Sequence, residues 1–585
     1  MDRNVFLAFA LSMGIFTLWL VWQAEREPQP VPTTVEQVVE QAAVDRDTAP
    51  SREGAAPTPS PAQTSLPSEA EPRAETAAQQ RNLWENTYNR EHYTAVLTNR
   101  GAGLTSWKLA DYTERTGNSE HPLDLLQLDP PYDVVLRTPF RELGLGDLGE
   151  AVFEVEQDSP DGATFVHRAG GITVRKAFRF EDPYGLRLTV TVQNESGRVV
   201  VPEFGVMWPA AVRTGNDFAE QSLVALSDGD VERQQLASIG HPGFLSNFFG
   251  GGQDTGPPTY PGPIDWAGVD EKYFLSVLMP GRPRAAHVTF EALEKTKIGA
   301  SVISFEPLQI PSGQLVEHEF RSFLGPKRPE LLEETGAELT KSIDRGWSWI
   351  VPLVVFFEWL LKACYAVIPN YGVAIILVTI LVRIVTAPIM SRQMRSTERM
   401  RELQPKIKEL QEKHADDRQK QSEEMMKLYK QMGVNPLGGC LPMLLQFPVF
   451  IGLFYALRSS IDLRQAPFVG WIDDLSAPES LFMIPGIDIP VRVLPLVMGA
   501  SMIVQQRVTP MTLDPAQARM MTTVMPVMMT VLFYQFPSGL VLYWMVSNLL
   551  GIGHQFWIGR GGKRKPPAGS GSPAATPSSS KKMET

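Results

Sequence analysis

One arginine interrupts an otherwise uncharged apolar stretch of the sequence. Arg383 is the only charged residue between Tyr371 and Met390, and about 20 apolar residues are enough for a helix to cross the hydrocarbon of a membrane. A guanidinium near mid-span costs from roughly 3 to more than 10 kcal/mol when it faces lipid. We therefore expect Arg383 to face protein or water, where it could attract an acidic group in a hydrated cavity.

A structural role for Arg383 is the alternative, in which its side chain reaches the membrane surface or pairs with a carboxylate. The predicted spans contain no Asp or Glu, and Asp488, just before the span at about 489–507, is the nearest candidate partner. Because intramembrane charges usually have a function, the sequence favours a functional role.

Polar and aromatic side chains at a similar predicted depth could line the same cavity. They are Thr379, Gln446, Gln505, Gln506, Tyr543, Trp544, Ser547 and Asn548. The alternative for the polar members of this set is hydrogen bonding between helices, which is common in membrane bundles.

Six apolar runs predict six membrane spans. The first, Val5–Trp22, is interpreted as an uncleaved anchor, since no small-residue cleavage site follows it as in a signal peptide. The five core spans are predicted at about 371–391, 435–458, 489–507, 519–537 and 539–558. The apolar stretch 347–368 contains Pro352 and three tryptophans, which are typical of a helix lying in the membrane interface.

The charges of the connecting loops agree with this count. Loop 391–434 has eleven basic and eight acidic residues (+3), and loop 458–488 has two and five (−3). Loop 507–519 has two basic residues and one acidic residue (+1), and the tail 559–585 has six basic residues and one acidic residue (+5). Positive loops stay in the cytoplasm, so both termini are predicted inside and the acidic β region at 81–326 outside.

The part of the chain before the core is a different kind of protein. Residues 341–585 hold 26 basic and 17 acidic residues (+9), which leaves 28 and 48 (−20) for residues 1–340. Residues 25–80 are rich in Pro and Ala and have no aromatic residue, which predicts a disordered tether. Residues 81–326 alternate apolar and polar residues in short runs, which predicts an antiparallel β-sandwich. An interfacial amphipathic helix is predicted within 327–369.

A cytoplasmic helical hairpin is predicted at 392–432. Apolar residues recur along its two arms at Met400, Leu403, Ile407, Met425 and Met426. The hairpin could dock a ribosome, a targeting receptor or an emerging chain, or it could be a solvated structural element. The basic tail could contact ribosomal RNA or anionic lipid.

No motif in the sequence predicts an enzyme. The glycines at 144, 146 and 149 match a nucleotide-binding spacing, but a strand-like run follows them instead of a helix. Cofactor and metal sites are not expected, and two cysteines exclude a disulfide-rich scaffold. A net charge of −11 argues against general nucleic-acid binding. A sugar enzyme in the β region would need an acid–base pair, and the spacing of His92, His167 and His318 does not provide one.

Three long segments resemble the YidC/Oxa/Alb family of membrane protein insertases, in its Gram-negative bacterial form. They are VNPLGGCLPMLLQFPVF at 434–450, LRQAPFVGWIDDLS at 463–476 and MPVMMTVLFYQFPSGLVLYWMVSN at 525–548. The resemblance implies a multi-pass inner-membrane protein whose five-helix core encloses a hydrophilic groove, closed on the outside. It also implies a periplasmic β-supersandwich that resembles sugar mutarotases.

The resemblance further implies a function and its residues. Nascent transmembrane segments would be inserted and helped to fold through the groove, alone or with the Sec translocon, by a monomer. The family's groove positions fall on Arg383, Thr379, Tyr543 and Trp544. An anion transporter or channel that uses Arg383 is the alternative.

Overall fold

A computed structural model describes ten segments of the chain. They are residues 83–116, 119–213, 220–239, 257–281, 285–294, 297–414, 417–431, 441–485, 489–508 and 520–561. The predicted anchor and tether and most of the basic tail lie outside these described residues. The chain divides into two compact units, Met1–Asp344 and Arg345–Thr585.

The described part of the first unit is built mainly from strands. Their bounds are β1 Glu85–Asn89, β2 Tyr93–Thr98, β3 Gly103–Thr116, β4 Ser119–Asp124, β5 Glu154–Ser159, β6 Gly162–Ala169, β7 Ile172–Glu181, β8 Gly185–Asn194, β9 Gly205–Ala211, β10 Ser222–Ser227, β11 Asp230–Gln235, β12 Thr259–Asp270, β13 Phe274–Pro280, β14 Ala285–Glu294, β15 Ile298–Ser304 and β16 Gln314–Pro326. A short helix, α1 (Pro329–Thr335), follows them.

Strand β8 illustrates why these segments form a half-buried sheet. Its sequence, GLRLTVTVQN, places a buried residue at every second position, from Leu186 to Asn194. Successive side chains of a strand point to opposite faces, so this alternation puts the apolar set on one face. Leu and Val fill that buried face, and Thr, which also favours a pleated surface, lies on the other.

The strands form two antiparallel sheets. One has the order β1-β2-β3-β4; the other has twelve strands in the order β5-β6-β7-β8-β16-β13-β12-β14-β15-β9, with β10 and β11 added beside β12. Aromatic rings join the two sheets. Trp107 of β3 stacks on Tyr93 at 3.9 Å, and its ring centroid lies 6.2 Å from that of Phe180 on β7. The predicted antiparallel β-sandwich is confirmed.

The second unit is helical. The bounds of its helices are α2 Val351–Val367, α3 Tyr371–Glu402, α4 Gln404–Lys413, α5 Arg418–Gln431, α6 Leu441–Ser459, α7 Val493–Val508, α8 Met525–Phe533 and α9 Ser538–Gly561. A π-turn, Met520–Val524, leads into α8, and two short strands, β17 Phe482–Met483 and β18 Pro490–Val491, precede α7.

Helix α3 joins a span-like segment to the predicted hairpin without a break. Among the described residues, only its part Tyr371–Ser391 is both long and apolar enough to cross a membrane. Shorter apolar helices occur at Val493–Val508 and Thr522–Phe533. The five-span core therefore stays a prediction. Beyond Ser391, α3 continues to Glu402, with Pro388 inside it.

Helix α2 occupies part of the segment predicted as an interfacial helix. Val354, Phe357, Leu361 and Cys364 are buried, and their spacing of three and four residues places them on one face of the helix. The side chain of Trp359 is 62% exposed on another face. This two-sided character suits an interface.

The described part of the hairpin comprises the end of α3 and helices α4 and α5. Leu403, just before α4, is 3% exposed and packs against Ile407 and Tyr429. Met425 is half-buried and Met426 is 50% exposed. The side chain of Met400 lies outside the described set, and the cytoplasmic location of the hairpin stays a prediction.

Contacts between the helices fix their relative directions. Arg383 contacts Ser547 and Ser391 contacts His554, so positions rise together along α3 and α9, which are parallel. Contacts of Ser501 with Asn548 and of Gln505 with Gly551 show that α7 runs in the same direction.

Helices α6 and α8 run the opposite way. Gln446 contacts Tyr543, whereas Phe454, eight residues later on α6, contacts Phe536, which precedes α9. Gly499 of α7 lies against Thr530 of α8, and Arg492, just before α7, donates a hydrogen bond to the carbonyl of Tyr534. Described helices that follow one another in the bundle therefore alternate in direction.

Two titratable side chains are buried in the core of the sandwich. Lys176 and His318 both lie opposite Val190 in the sheet. Lys176 donates to two backbone carbonyls, and burial lowers its pKa to about 7. The ring of His318 lies 3.9 Å from that of Phe204 and 4.6 Å from that of Phe305. Burial lowers the pKa of His318 to about 4.

We expect His318 to make the β domain sensitive to acid. Its folded-state pKa of about 4 lies below the unfolded value of 6.5, so the unfolded state binds more protons between these values and stability falls as pH decreases through them. A shift of this size corresponds to about 3 kcal/mol. His318→Phe should remove that loss. Hydrogen exchange of β16 amides in the whole chain, from pH 6.5 to 4, measures it.

His121→Gln is the matched control for His318→Phe. His121 is an exposed histidine on β4, so its replacement should leave the pH dependence unchanged. Equal pH dependence in the wild type and in His318→Phe would show that His318 does not cause the acid sensitivity.

Candidate functional site

Arg383 is fixed to helix α9 through a single residue. Its Nη2 donates to the backbone carbonyl of Ser547 at 2.7 Å and to the Ser547 hydroxyl at 2.6 Å. Its Nε is buried without a hydrogen-bond partner among the described residues. Within this same set, no carboxylate forms an ion pair with Arg383, and Asp488 lies outside it. The guanidinium charge is thus held in place but not neutralised by these residues.

Tyr543 lies one turn before Ser547 on the same face of α9. Its side chain is buried, with 1% exposure. The phenol oxygen accepts a hydrogen bond of 2.8 Å from the Nε2 of Gln446 on α6. A polar contact thus links α6 to the face of α9 that holds Arg383.

A glycine allows a third helix to reach this face. A Cβ atom at Gly551 would lie 3.0 Å from Nε2 of Gln505 on α7 and 3.7 Å from Nη2 of Arg383. The first distance is closer than ordinary van der Waals contact, so a side chain at this position would displace the Gln505 amide. Gly551 therefore lets Arg383 and Gln505 approach the backbone of α9 together.

The same face continues toward the end of α9. The Ser391 hydroxyl and Nε2 of His554 are 3.1 Å apart, and their bond joins α3 to α9. We call the set Ser391, Arg383, Gln446, Gln505, Tyr543, Ser547, Gly551 and His554 the polar seam. It follows α9 at positions 543, 547, 551 and 554, a spacing that keeps side chains on one helix face.

Three residues expected at the groove have other contacts. Thr379 is 1% exposed, and its hydroxyl donates to the carbonyl of Ile375 in its own helix. Trp544 packs against aromatic rings of α6 and α8 at 4.9 Å. Asn548 donates to the hydroxyl of Ser501 on α7 at 3.1 Å. Their role at the groove stays a prediction, as does that of the whole predicted site.

Sequence reasoning missed Gly551, Ser391 and His554. The spacing of Tyr543 and Ser547 would have pointed to Gly551 and His554, since they continue the same helical face. Ser391 was placed at the end of its span and was not connected to α9, because only the parallel packing of α3 and α9 brings it to His554.

The three histidines considered for an acid–base pair in the β domain have unrelated surroundings. His92 lies 3.2 Å from Asp111 and is partly exposed. His167 packs beside Phe153, and His318 lies between aromatic rings in the core. In the part of the chain that the structure describes, no group of three metal-ligating side chains occurs.

Each of the two units matches a known protein family. A family model described as 60Kd inner membrane protein matches residues 363–565, and one described as YidC periplasmic domain matches residues 89–357. The membrane protein insertase YidC of Pelobacter propionicus is 33% identical over 96% of this chain and 99% of its own length. That of Syntrophus aciditrophicus is 31% identical over 96% and 100%. These relatives match nearly the whole chain.

One solved structure is also similar over much of the chain. The crystal structure of an active YidC insertase with its first transmembrane domain resolved covers 80% of this chain and 91% of its own. Its sequence identity is 18% and its TM-score 0.33.

We expect the close approach at Gly551 to be necessary for the seam. Gly551→Leu should force α7 away from α9 and lower stability by about 1–3 kcal/mol, as overpacking does. Gly553→Leu is the matched control, because a Cβ at Gly553 meets nothing within 4 Å. Thermal unfolding midpoints in detergent compare the two. Equal midpoints would show that the helices do not meet at Gly551.

Proposed function

This chain belongs to the YidC family of membrane protein insertases, and we propose that it inserts nascent transmembrane segments into the inner membrane along the polar seam. The observation that carries this proposal is the state of Arg383. It is anchored by Ser547, its Nε has no partner among the described residues, and no carboxylate there neutralises it. Its charge is available to a client.

The client's contribution is an acidic residue in the segment that must cross to the outside. In a region of low dielectric, attraction between a guanidinium and a carboxylate is much stronger than in water. The attraction offsets part of the cost of moving the carboxylate through the membrane. A bidentate guanidinium–carboxylate pair would also orient the client beside α3 and α9.

Transfer of apolar surface from water into lipid completes the insertion. The seam supplies hydroxyl, amide and imidazole groups to the polar part of the client, while the apolar part lies against lipid. Moving apolar surface out of water gains about 25 cal/mol per Å², which favours release of the new helix into the bilayer. This route uses no nucleotide and no metal, and we assign no cofactor or enzymatic activity.

The alternating helix directions support a five-span core with an additional N-terminal anchor. Helices α3, α7 and α9 would cross toward the cytoplasm, and α6 and α8 would cross outward. The hairpin and both termini would then be cytoplasmic, the β domain periplasmic, and α2 would lie in the interface with Trp359 among the headgroups. The groove would be lined by the seam together with Thr379, Trp544 and Asn548.

We assign partners to the cytoplasmic face by its charge and exposure. The hairpin would receive the ribosome or a targeting receptor near Met426, and the basic tail would bind anionic lipid or ribosomal RNA. The protein would act as a monomer, either alone or beside the Sec translocon. The alternative function that the sequence left open is an anion transporter, but the curated relatives are named as insertases.

We expect removal of the Arg383 charge to impair insertion of acidic clients selectively. Arg383→Ala should lower insertion of a single-span client with an acidic exported segment by about tenfold, equivalent to 1.4 kcal/mol. Its Asp/Glu-to-Asn/Gln counterpart should change little. Arg383→Lys should retain part of the activity, since the charge remains without the guanidinium geometry. Protease protection of the exported segment in reconstituted vesicles measures insertion.

Arg507→Ala is the matched control, because Arg507 is an exposed arginine near the end of α7. It should insert both clients as well as the wild type. Equal insertion of the acidic and neutral clients by Arg383→Ala and by the wild type would contradict the role of this charge.

A further inference from the structure

Three arginines stand side by side on one face of the large sheet. Arg179 of β7 lies opposite Arg187 of β8, which in turn lies opposite Arg321 of β16. Neighbouring strands are about 4.8 Å apart, so the three side chains start within about 10 Å of one another. Like charges directly opposite each other destabilise a sheet. The register of this arginine row therefore has a cost in stability.

A single described carboxylate serves two members of the arginine row, and the third has none. Glu181 pairs with Arg187 at 2.7 Å and lies 3.7 Å from Arg321. Arg179 is exposed and has no hydrogen-bond or ion-pair partner in the described segments. The row is thus a local positive site within a region, residues 1–340, whose net charge is −20.

Other arginines of the same sheet are paired. Arg175, four residues before Arg179 on the same strand, binds Glu156 at 2.7 Å. Arg168 on β6 binds Glu154 and Glu156 at 2.8 and 3.1 Å. The incomplete ion pairing is therefore a property of the row and not of this sheet face as a whole.

A cleft of about 330 Å³ adjoins the row. Arg187 and Arg321 line it together with the acids Asp265 and Glu319 and with Met279, which lies opposite Arg321. The cleft thus offers cations, carboxylates and apolar surface within one site. Exposed side chains that do not stabilise the fold are commonly found at sites of recognition.

We propose that the arginine row and its cleft bind an extended acidic peptide, specifically the acidic exported segment of a client. Carboxylates of the peptide would pair with Arg179 and Arg321, and an apolar side chain between them would enter the cleft. Asp265 and Glu319 would accept hydrogen bonds from peptide N–H groups. This inference rests on the proposed insertase function only for the source of the peptide.

An anionic membrane surface is a weaker candidate for this site. A flat bilayer would meet the charge of the whole acidic domain, which repels it, whereas a narrow peptide meets only the row. Lipid phosphates supply no N–H donor to the carboxylates of the cleft, whereas the backbone of an extended peptide does. The mixed chemistry of the cleft therefore favours a polypeptide.

Binding of a synthetic peptide tests the proposal. The probe is a fluorescein-labelled peptide that alternates Glu with Leu, and its comparison replaces every Glu with Gln. Fluorescence anisotropy with the full chain in detergent at low salt should show binding of the acidic peptide alone. Arg179→Gln should weaken this binding about fivefold, as loss of a charge-assisted pair does. Arg175→Gln, the matched control, should bind like the wild type.

Stability and activity readouts separate the outcomes. Arg179→Gln should keep or raise the midpoint of thermal unfolding, because it relieves like-charge repulsion. A lowered midpoint with unchanged peptide binding would assign the row a structural role and overturn the proposal. Equal binding of the Gln peptide, or binding only to phosphatidylglycerol vesicles, would also overturn it. Arg383→Ala should leave peptide binding unchanged, so failure of the seam in insertion and failure of the row are distinct observations.

Discussion

A guanidinium in an apolar helix bundle must replace its water with protein acceptors, and Arg383 obtains two of them from one residue. Both the carbonyl and the hydroxyl of Ser547 accept from the same nitrogen. This arrangement requires α3 and α9 to approach closely, and the second contact between Ser391 and His554 shows that they run parallel. It also requires the backbone of α9 to be accessible, which Gly551 provides. The polar seam follows from these requirements, because each further helix reaches the same face of α9 through a polar side chain.

The sequence predicted the elements better than their contacts. The charge pattern singled out Arg383, and the alternation of residues such as those of β8 predicted the β-sandwich that the structure confirms. Residue types do not reveal that Thr379 bonds to its own helix while Ser391 reaches another. That difference depends on helix direction and rotation, which are set by packing between elements far apart in the chain. Hydropathy also predicted only approximate bounds for the spans. In the structure, α8 has nine residues, and α3 continues well past its apolar part.

The β domain shows the same limit in a sheet. Arg179 and Arg187 are near each other in sequence, but Arg321 becomes their neighbour only because β16 pairs with β8 in one particular register. A shift of one residue would place Arg321 on the buried face and Phe320 in solvent. The buried phenylalanine therefore fixes the position of the arginine. In this domain the apolar core decides which charges meet on the surface, even where their meeting opposes folding.

The unbroken length of α3 connects the polar seam to the helical hairpin. From Arg383 to Glu402 the helix extends about 28 Å at its usual rise per residue, and the hairpin begins at its far end. In a continuous helix of this length, a small tilt at Arg383 becomes a displacement of several ångströms at the far end. Pro388 removes one backbone hydrogen bond within this stretch, so a bend there would absorb part of such a tilt. The residue that carries the buried guanidinium and the segment that leads into α4 thus belong to one helix, and the stiffness of that helix at Pro388 sets how strongly they move together.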